Sequence, residues 1–269
     1  MWREACRTVS ADWLKLRKSR ATFAGLVAYV VVVLALYFTY YVAVRRSFIG
    51  IPTGFCLAGA TLSAAVLPMA FVGILLVAFS LGREFSSGTI HLVWVRPLTR
   101  RGWLAGKVLG NVLHLKVFLV LTLVLVLASA GGQLGFSSLM EKEYQVHSVN
   151  SLWLRLLLVL VLTWIALVAT VVFCCVPALY VASPGGAIAV SVVIGFVLQL
   201  AAGWDVLRPF LLSTYLSAPL NQFVAMSKGL PLPEEWGRLT RTCLAGSLLW
   251  MLIGWLWASW IVRRKEVLN

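Results

Sequence analysis

Residues 82–107 read GREFSSGTIHLVWVRPLTRRGWLAGK and separate two long apolar runs, at 55–81 and 108–130. A plain loop between two membrane helices needs only polarity and a turn, whereas this stretch has an amphipathic pattern. Its apolar residues are Phe85, Ile90, Val93 and Trp94, and its main charges are Glu84, Arg96, Arg100 and Arg101. We expect a short helix with Glu84 at its N-terminal end and the arginines at its C-terminal end, where the helix dipole favours them. Pro97 would limit its length.

The apolar runs on either side belong to a chain that is 61% hydrophobic and 12% charged, with a mean hydropathy of +0.93. A soluble core cannot hide that much apolar surface, so the lipid bilayer must solvate the chain. Six runs are long enough to cross a hydrocarbon layer of about 30 Å. The sequence therefore predicts an all-α integral membrane protein with a single membrane domain over residues 1–269. The predicted spans are 22–44, 55–81, 108–130, 152–181, 187–203 and 242–262.

The basic residues predict how the spans are oriented. Fourteen lysines and arginines fall in the N-terminal segment, in residues 82–107 and at the C-terminus, against eight in the loops of the other side. Cytoplasmic segments carry the excess of lysine and arginine, so both termini are expected in the cytoplasm. The formal charge of +14 thus reflects residues that flank a membrane, and it favours anionic headgroups over nucleic acid as the partner.

Two further segments have patterns of their own. Residues 1–21 mix basic and apolar side chains, which predicts an interfacial helix before the first span. Residues 204–241 are too apolar for a solvated loop and too short to cross the bilayer twice, so we expect short outer helices there. The five cysteines lack C-x-x-C spacing and are interpreted as small apolar residues.

The pattern E-F-x-x-G-T-I followed by P-x-x-R-R in residues 84–101 resembles the cytoplasmic segment of type-2 permeases of ATP-binding-cassette (ABC) transporters. In that family the segment is a coupling helix between spans two and three that contacts a separate ATPase. The resemblance also implies an N-terminal elbow helix and short outer helices between spans five and six. The coupling residues it implies here are Glu84, Phe85, Gly88, Thr89, Ile90, Arg96, Pro97, Arg100 and Arg101.

The resemblance implies an export function for the chain. As a permease subunit it would move an amphipathic or lipid-like substrate (a drug, peptide, lipid or glycan) outward across the cytoplasmic membrane of a bacterium. Its partners would be two copies of a cytoplasmic ABC ATPase, which bind ATP and Mg²⁺, and a second permease, either the same chain or a sister chain.

We expect no ATP site and no enzymatic activity on this chain. The stretch Gly102 to Lys107 imitates a phosphate-binding loop, but three residues stand between its glycines where four are required. Val108 occupies the position at which Ser or Thr would contact Mg²⁺. A pair of glutamates at 234–235 is similar to part of an intramembrane peptidase signature. It is one residue short and lies outside the spans, which leaves a membrane enzyme as a remote alternative.

Three polar residues within the spans are candidates for a functional role, namely His114, Lys116 and Gln199. Ionisable groups inside a membrane are costly and often mark a transport path. The alternative for Lys116 is a side chain that extends back to the headgroups.

Two other functions stay open on the sequence alone. One is a secondary transporter or channel that works without an ATPase, for which a coupling segment would have no use. The other is a membrane scaffold subunit that does not itself transport.

Overall fold

The computed structural model describes residues 8–10, 20–46, 53–88, 99–141, 144–181, 183–204, 206–228 and 236–264. Seven long helices and one small hairpin follow one another along these residues. The helices are α1 (Arg20–Arg45), α2 (Gly54–Ser86), α3 (Arg100–Leu134), α4 (Val149–Tyr180), α5 (Pro184–Ala201), α6 (Leu212–Ser227) and α7 (Trp236–Arg264). The antiparallel hairpin pairs β1 (Leu139–Glu141) with β2 (Tyr144–His147), and a 3₁₀ turn at Arg208–Phe210 precedes α6.

Six of these helices are long and apolar enough to cross a membrane: α1 to α5 and α7. They coincide with the six predicted spans, which confirms a multi-pass helical membrane protein. The sequence placed the end of the second span at 81 and the start of the third at 108. In the structure α2 continues to Ser86 and α3 begins at Arg100. Hydropathy marks only the part of a helix inside the hydrocarbon, whereas the helix itself extends as far as its backbone hydrogen bonds. At 1.5 Å per residue, α2 and α3 are each about 50 Å long, more than a bilayer core requires.

Helix α2 lies at the centre of the bundle and packs against α1, α3, α4, α5 and α6. The most extensive helix pair is α4 with α7. Gly254 makes this pairing possible, because a Cβ atom there would come within 2.9 Å of the Phe173 Cα atom. The buried core comes mainly from α2 and α4, while α1 and α5 present large apolar side chains outward, such as Phe38 and Phe196. Outward apolar side chains on spanning helices fit contact with lipid.

The two ends of the bundle differ in character. One end, here called the basic end, holds Ser86, Arg100, Pro184 and Arg264. The other, the capped end, holds the start of α2, where the Gly54 N–H donates to the Gly135 carbonyl at 2.8 Å. The hairpin and the C-terminal end of α6 also lie at the capped end, whereas the 3₁₀ turn contacts Trp250 at the middle of α7. The distribution of basic residues predicts that the basic end faces the cytoplasm.

Helix α6 confirms the prediction of short helices between spans five and six. The boundary differs, because residues 236–241 belong to α7 and not to the connecting segment. The predicted elbow and coupling helices lie largely outside the described residues, since the structure describes only 8–10 of the first and none of 89–98. The hairpin at residues 139–147 was not predicted.

Candidate functional site at the basic end

Three side chains meet where α2 ends and α3 begins. Lys107 Nζ lies 2.5 Å from Glu84 Oε1, and Trp103 Nε1 donates to Glu84 Oε2 at 3.1 Å. Trp103 and Lys107 are four residues apart, so they share one face of α3 and reach the same carboxylate. All three side chains are buried. We call this group the Glu84 junction.

The position of Glu84 explains why it has these partners. The sequence predicted that Glu84 begins a short helix, whereas it lies in the last turns of α2, two residues before the end at Ser86. A carboxylate is unfavourable at the C-terminal end of a helix, because the dipole is negative there. Burial adds a further cost to an unpaired charge. The ammonium of Lys107 offsets both effects, so the ion pair fixes the end of α2 against α3.

Caps define both sides of the segment that joins these two helices. Ser87 ends α2, and Gly88 then adopts a φ of 66°, a left-handed conformation that glycine adopts without strain. At the other side Thr99 is the N-cap of α3, where its hydroxyl accepts from the Gly102 N–H at 3.1 Å. The ring of Phe85 packs edge-on against that of Trp103, with centroids 6.3 Å apart. The described residues on either side of 89–98 are therefore fixed by caps and by the contact of Phe85 with Trp103.

Arg100, predicted as a coupling residue, contacts a third helix. Its Nη1 donates to the carbonyls of Val262 at 3.3 Å and Arg263 at 3.0 Å, both in the last turn of α7. A guanidinium at the C-terminal end of a helix complements the helix dipole. Arg100 thus ties the start of α3 to the end of α7. Arg101, one residue on, is exposed.

A basic cavity opens beside this contact. It measures about 400 Å³ and is lined by Thr99, Arg100, Arg101 and Arg263. Three guanidinium groups around one opening attract anionic groups, whether carboxylates of a protein or phosphates of lipid. The cavity gives the basic end a surface suited to an acidic partner.

The remaining predicted coupling residues, Thr89, Ile90, Arg96 and Pro97, lie outside the described residues. Of the set, the structure brings together Glu84 and Phe85 at the junction and places Arg100 and Arg101 beside it. Trp103 was not predicted, although a tryptophan four residues before a lysine was a visible signal for a shared helical face.

A comparison with protein families matches residues 26–268 to the family described as "Protein of unknown function (DUF2705)". The chain belongs to this family. No curated protein matches it.

The three polar candidates within the spans do not form one site. His114 is buried, and its Nδ1 lies 2.7 Å from the Gly110 carbonyl in the preceding turn of α3. Lys116 is exposed on the outside of the same helix, which fits a side chain that extends along the lipid surface. Gln199 is exposed near the end of α5. The three side chains therefore do not contact a common space or ligand position.

Within the described part of the chain, no three of the His, Cys, Asp and Glu residues lie close enough to hold a metal ion. Four cysteines there are buried and form no disulfide with one another, at positions 56, 174, 175 and 243. Their burial among apolar side chains agrees with the interpretation of cysteine as a small apolar residue in this chain.

Polar contacts attach the segment before α6 to α6 itself and to the middle of α7. The Tyr215 hydroxyl donates to the Pro209 carbonyl, and Trp250 Nε1 of α7 donates to the Phe210 carbonyl at 2.8 Å. Burial raises the pKa of Tyr215, with a smaller contribution from Cys243, so its hydroxyl keeps its proton up to strongly alkaline pH. The 3₁₀ turn and α6 are thus held in place.

Proposed function

We propose that this chain is the transmembrane permease subunit of an ATP-driven ABC exporter, without an ATP site of its own. The observation that carries the proposal is the Glu84 junction beneath residues 89–98. The resemblance to type-2 permeases assigns those residues to contact with a separate ATPase. A segment that transmits force from a partner needs a rigid base, and a buried ion pair between α2 and α3 supplies one.

The second support is the charge of the basic end. Arg101 and Arg263 line an open cavity next to the proposed contact segment. An ATPase that binds there would need acidic groups opposite these arginines, and such complementary charges increase the rate of association. The partners of the proposed complex are two ATPase subunits and a second permease, which is either the same chain or a sister chain.

In the proposed mechanism, ATP-driven closure of the two ATPases moves residues 89–98 of each permease. Because Lys107 and Trp103 hold Glu84, the ends of α2 and α3 move together as one unit. Arg100 would transmit the same motion to the end of α7. The two permeases then shift against each other, and an amphipathic substrate moves outward along the surface between them.

The experiment is co-purification with a candidate ABC ATPase, followed by ATP-dependent uptake into inside-out vesicles. The charge reversal Arg101→Glu, at an exposed position of the cavity, should weaken the association about tenfold or more. The matched control is Arg46→Glu, which changes an exposed arginine at the capped end and should leave the association unchanged.

Two results would overturn the proposal. One is tight binding of ATP by the purified chain alone. The other is uptake into vesicles that proceeds without ATP or without the ATPase, as expected for a secondary transporter or channel.

A further inference from the structure

An apolar cleft and a polar cavity adjoin each other towards the capped end. The cleft, of about 40 Å³, lies between α2, α4, α5 and α6, and its walls are almost wholly apolar. The cavity, of about 460 Å³, lies between the end of α5, the 3₁₀ turn, α6 and the start of α7. Gln199 and Ser213 line both. The two spaces therefore lie side by side, and we call them together the path, with an apolar part and a polar part.

The cavity is rich in hydrogen-bonding side chains. Its polar lining consists of Gln199, Arg208, Ser213, Thr214, Ser217, Asn221 and Gln222. Arg208 is the cation of this lining, and no acidic residue is among the described residues that line it. A ligand group that enters should therefore be anionic or rich in hydroxyls, since a guanidinium binds phosphate and carboxylate through charge-assisted hydrogen bonds.

Two polar atoms in this wall have no hydrogen-bond partner in the described part of the chain. They are Thr214 Oγ1 and Gln222 Oε1, and both are buried. Buried polar atoms are normally paired, and leaving one unpaired is costly. A ligand that turns either side chain towards the cavity would give its polar atom a partner. By contrast, Asn221 is already engaged by the Ser63 hydroxyl of α2 at 2.5 Å.

The cleft runs from the cavity towards the middle of the bundle. On α2 its lining extends from Leu67 to Ile74, which is about 10 Å along a helix. It is too narrow to enclose a ring system, but a single extended hydrocarbon chain can lie along it. Ser213 stands at the boundary, where its hydroxyl donates to the Leu198 carbonyl at 2.9 Å. The polar part lies between the last turn of α5 and α6, and the apolar part lies along α2, at the middle of that helix.

We propose that this path is a binding site for a single-chain amphiphile with an anionic headgroup, whose acyl chain lies along the cleft and whose headgroup contacts Arg208 and Gln222. The site is defined by the described residues of one chain. It goes beyond the proposed export activity, and its test requires neither ATPase nor transport.

The test uses the full chain in neutral detergent and measures competition against a fluorescent lysophosphatidylglycerol. Unlabelled lysophosphatidylglycerol should compete at least about tenfold better than lysophosphatidylcholine of the same chain length, because the anionic headgroup gains the contact with Arg208. Glycerol phosphate has the headgroup chemistry without the chain and should compete poorly. If it competes as well as the lysolipid, the site binds free phosphate and the proposal fails.

Variants separate the two parts of the site. Arg208→Gln and Gln222→Leu should each weaken binding of lysophosphatidylglycerol, and Arg208→Gln should also abolish the preference over lysophosphatidylcholine. Leu198→Trp should weaken both lysolipids equally, because it fills the cleft without changing the cavity's charge. Arg46→Gln is the matched control, since it removes an exposed charge from the same end of the bundle without lining the path.

Thermal unfolding of each variant establishes that it remains folded. Unchanged affinity in folded Arg208→Gln, or equal weakening by Arg46→Gln, would overturn the proposal.

Discussion

Glu84 and Lys107 form a buried ion pair across two helices, with Lys107 Nζ 2.5 Å from Glu84 Oε1. The two residues are 23 positions apart in the chain. Between them lie the end of α2, the segment 89–98 and the first two turns of α3. The pair therefore connects the end of α2 to the start of α3, on either side of the segment that resembles a coupling element.

Removing one partner of this pair should destabilise the protein strongly. We expect Lys107→Met to lower the free energy of unfolding by about 3 kcal/mol, because the Glu84 carboxylate stays buried without its counter-charge. The double variant Glu84→Gln with Lys107→Met should recover much of the loss. The free energy of unfolding of the single and the double variant can be measured by denaturation in detergent. The control is Lys116→Met on the exposed face of the same helix, and an equally large effect there would contradict the prediction.

Gly246 of α7 provides the space for Tyr215 of α6. A Cβ atom at 246 would come within 2.2 Å of the tyrosine ring, which its hydroxyl attaches to the Pro209 carbonyl. We expect Gly246→Ala to cost about 1–3 kcal/mol through overpacking and to speed amide exchange in residues 212–224. Gly237→Ala is the matched control, because no atom lies within 4 Å of that added Cβ on the same helix. Slow exchange retained in Gly246→Ala would refute this role.

The two neighbouring arginines of α3 should have separable effects. Arg100→Gln removes the contacts with the last carbonyls of α7, and we expect a loss of about 1 kcal/mol in stability. Arg101→Gln removes an exposed charge and should leave stability within about 0.5 kcal/mol. Its effect should appear in association with the proposed ATPase. Equal stability losses for the two variants, measured by unfolding, would show that Arg100 has no special contact.

The orientation of the bundle can be tested by labelling single cysteines in a variant that lacks the native ones. With the basic end in the cytoplasm, cysteines at Ser137 and Lys228 should react with an impermeant maleimide added to intact cells, and cysteines at Ser87 and Arg264 should not. All four positions are exposed. Ser227 is unsuitable because it is fully buried. Labelling of a cysteine at position 87 from outside would show that the basic end faces outward, which would contradict the proposed contact with an ATPase.

The six spans could be predicted from the sequence because hydrophobicity is a local property. A run of about 20 apolar residues is sufficient evidence for a membrane helix. The ends of the helices were harder to predict from the sequence, as α2 and α3 show. The last turn of α2 contains Glu84 and the first turn of α3 contains Arg100, which look like loop residues by polarity, yet their backbone hydrogen bonds continue the helices.

The roles of individual side chains depended on contacts that the sequence does not contain. Glu84 was expected on a surface for a partner, and it is buried against Lys107. Arg100 was expected in the same surface, and it contacts the end of α7, 162 residues away. Tyr215 and Gly246 meet only because α6 lies across α7.

The sequence by itself determined that this chain lies in a membrane, how many times its helices can cross it, and which end carries the excess of basic residues. Each of these follows from composition within a short window. Only the tertiary structure decided which charges are paired and which polar residues share a cavity, because both depend on how distant helices pack. Glu84 and Lys107 are adjacent in the folded bundle, and Gln199 and Leu239 line one cavity, although no local pattern brings either pair together.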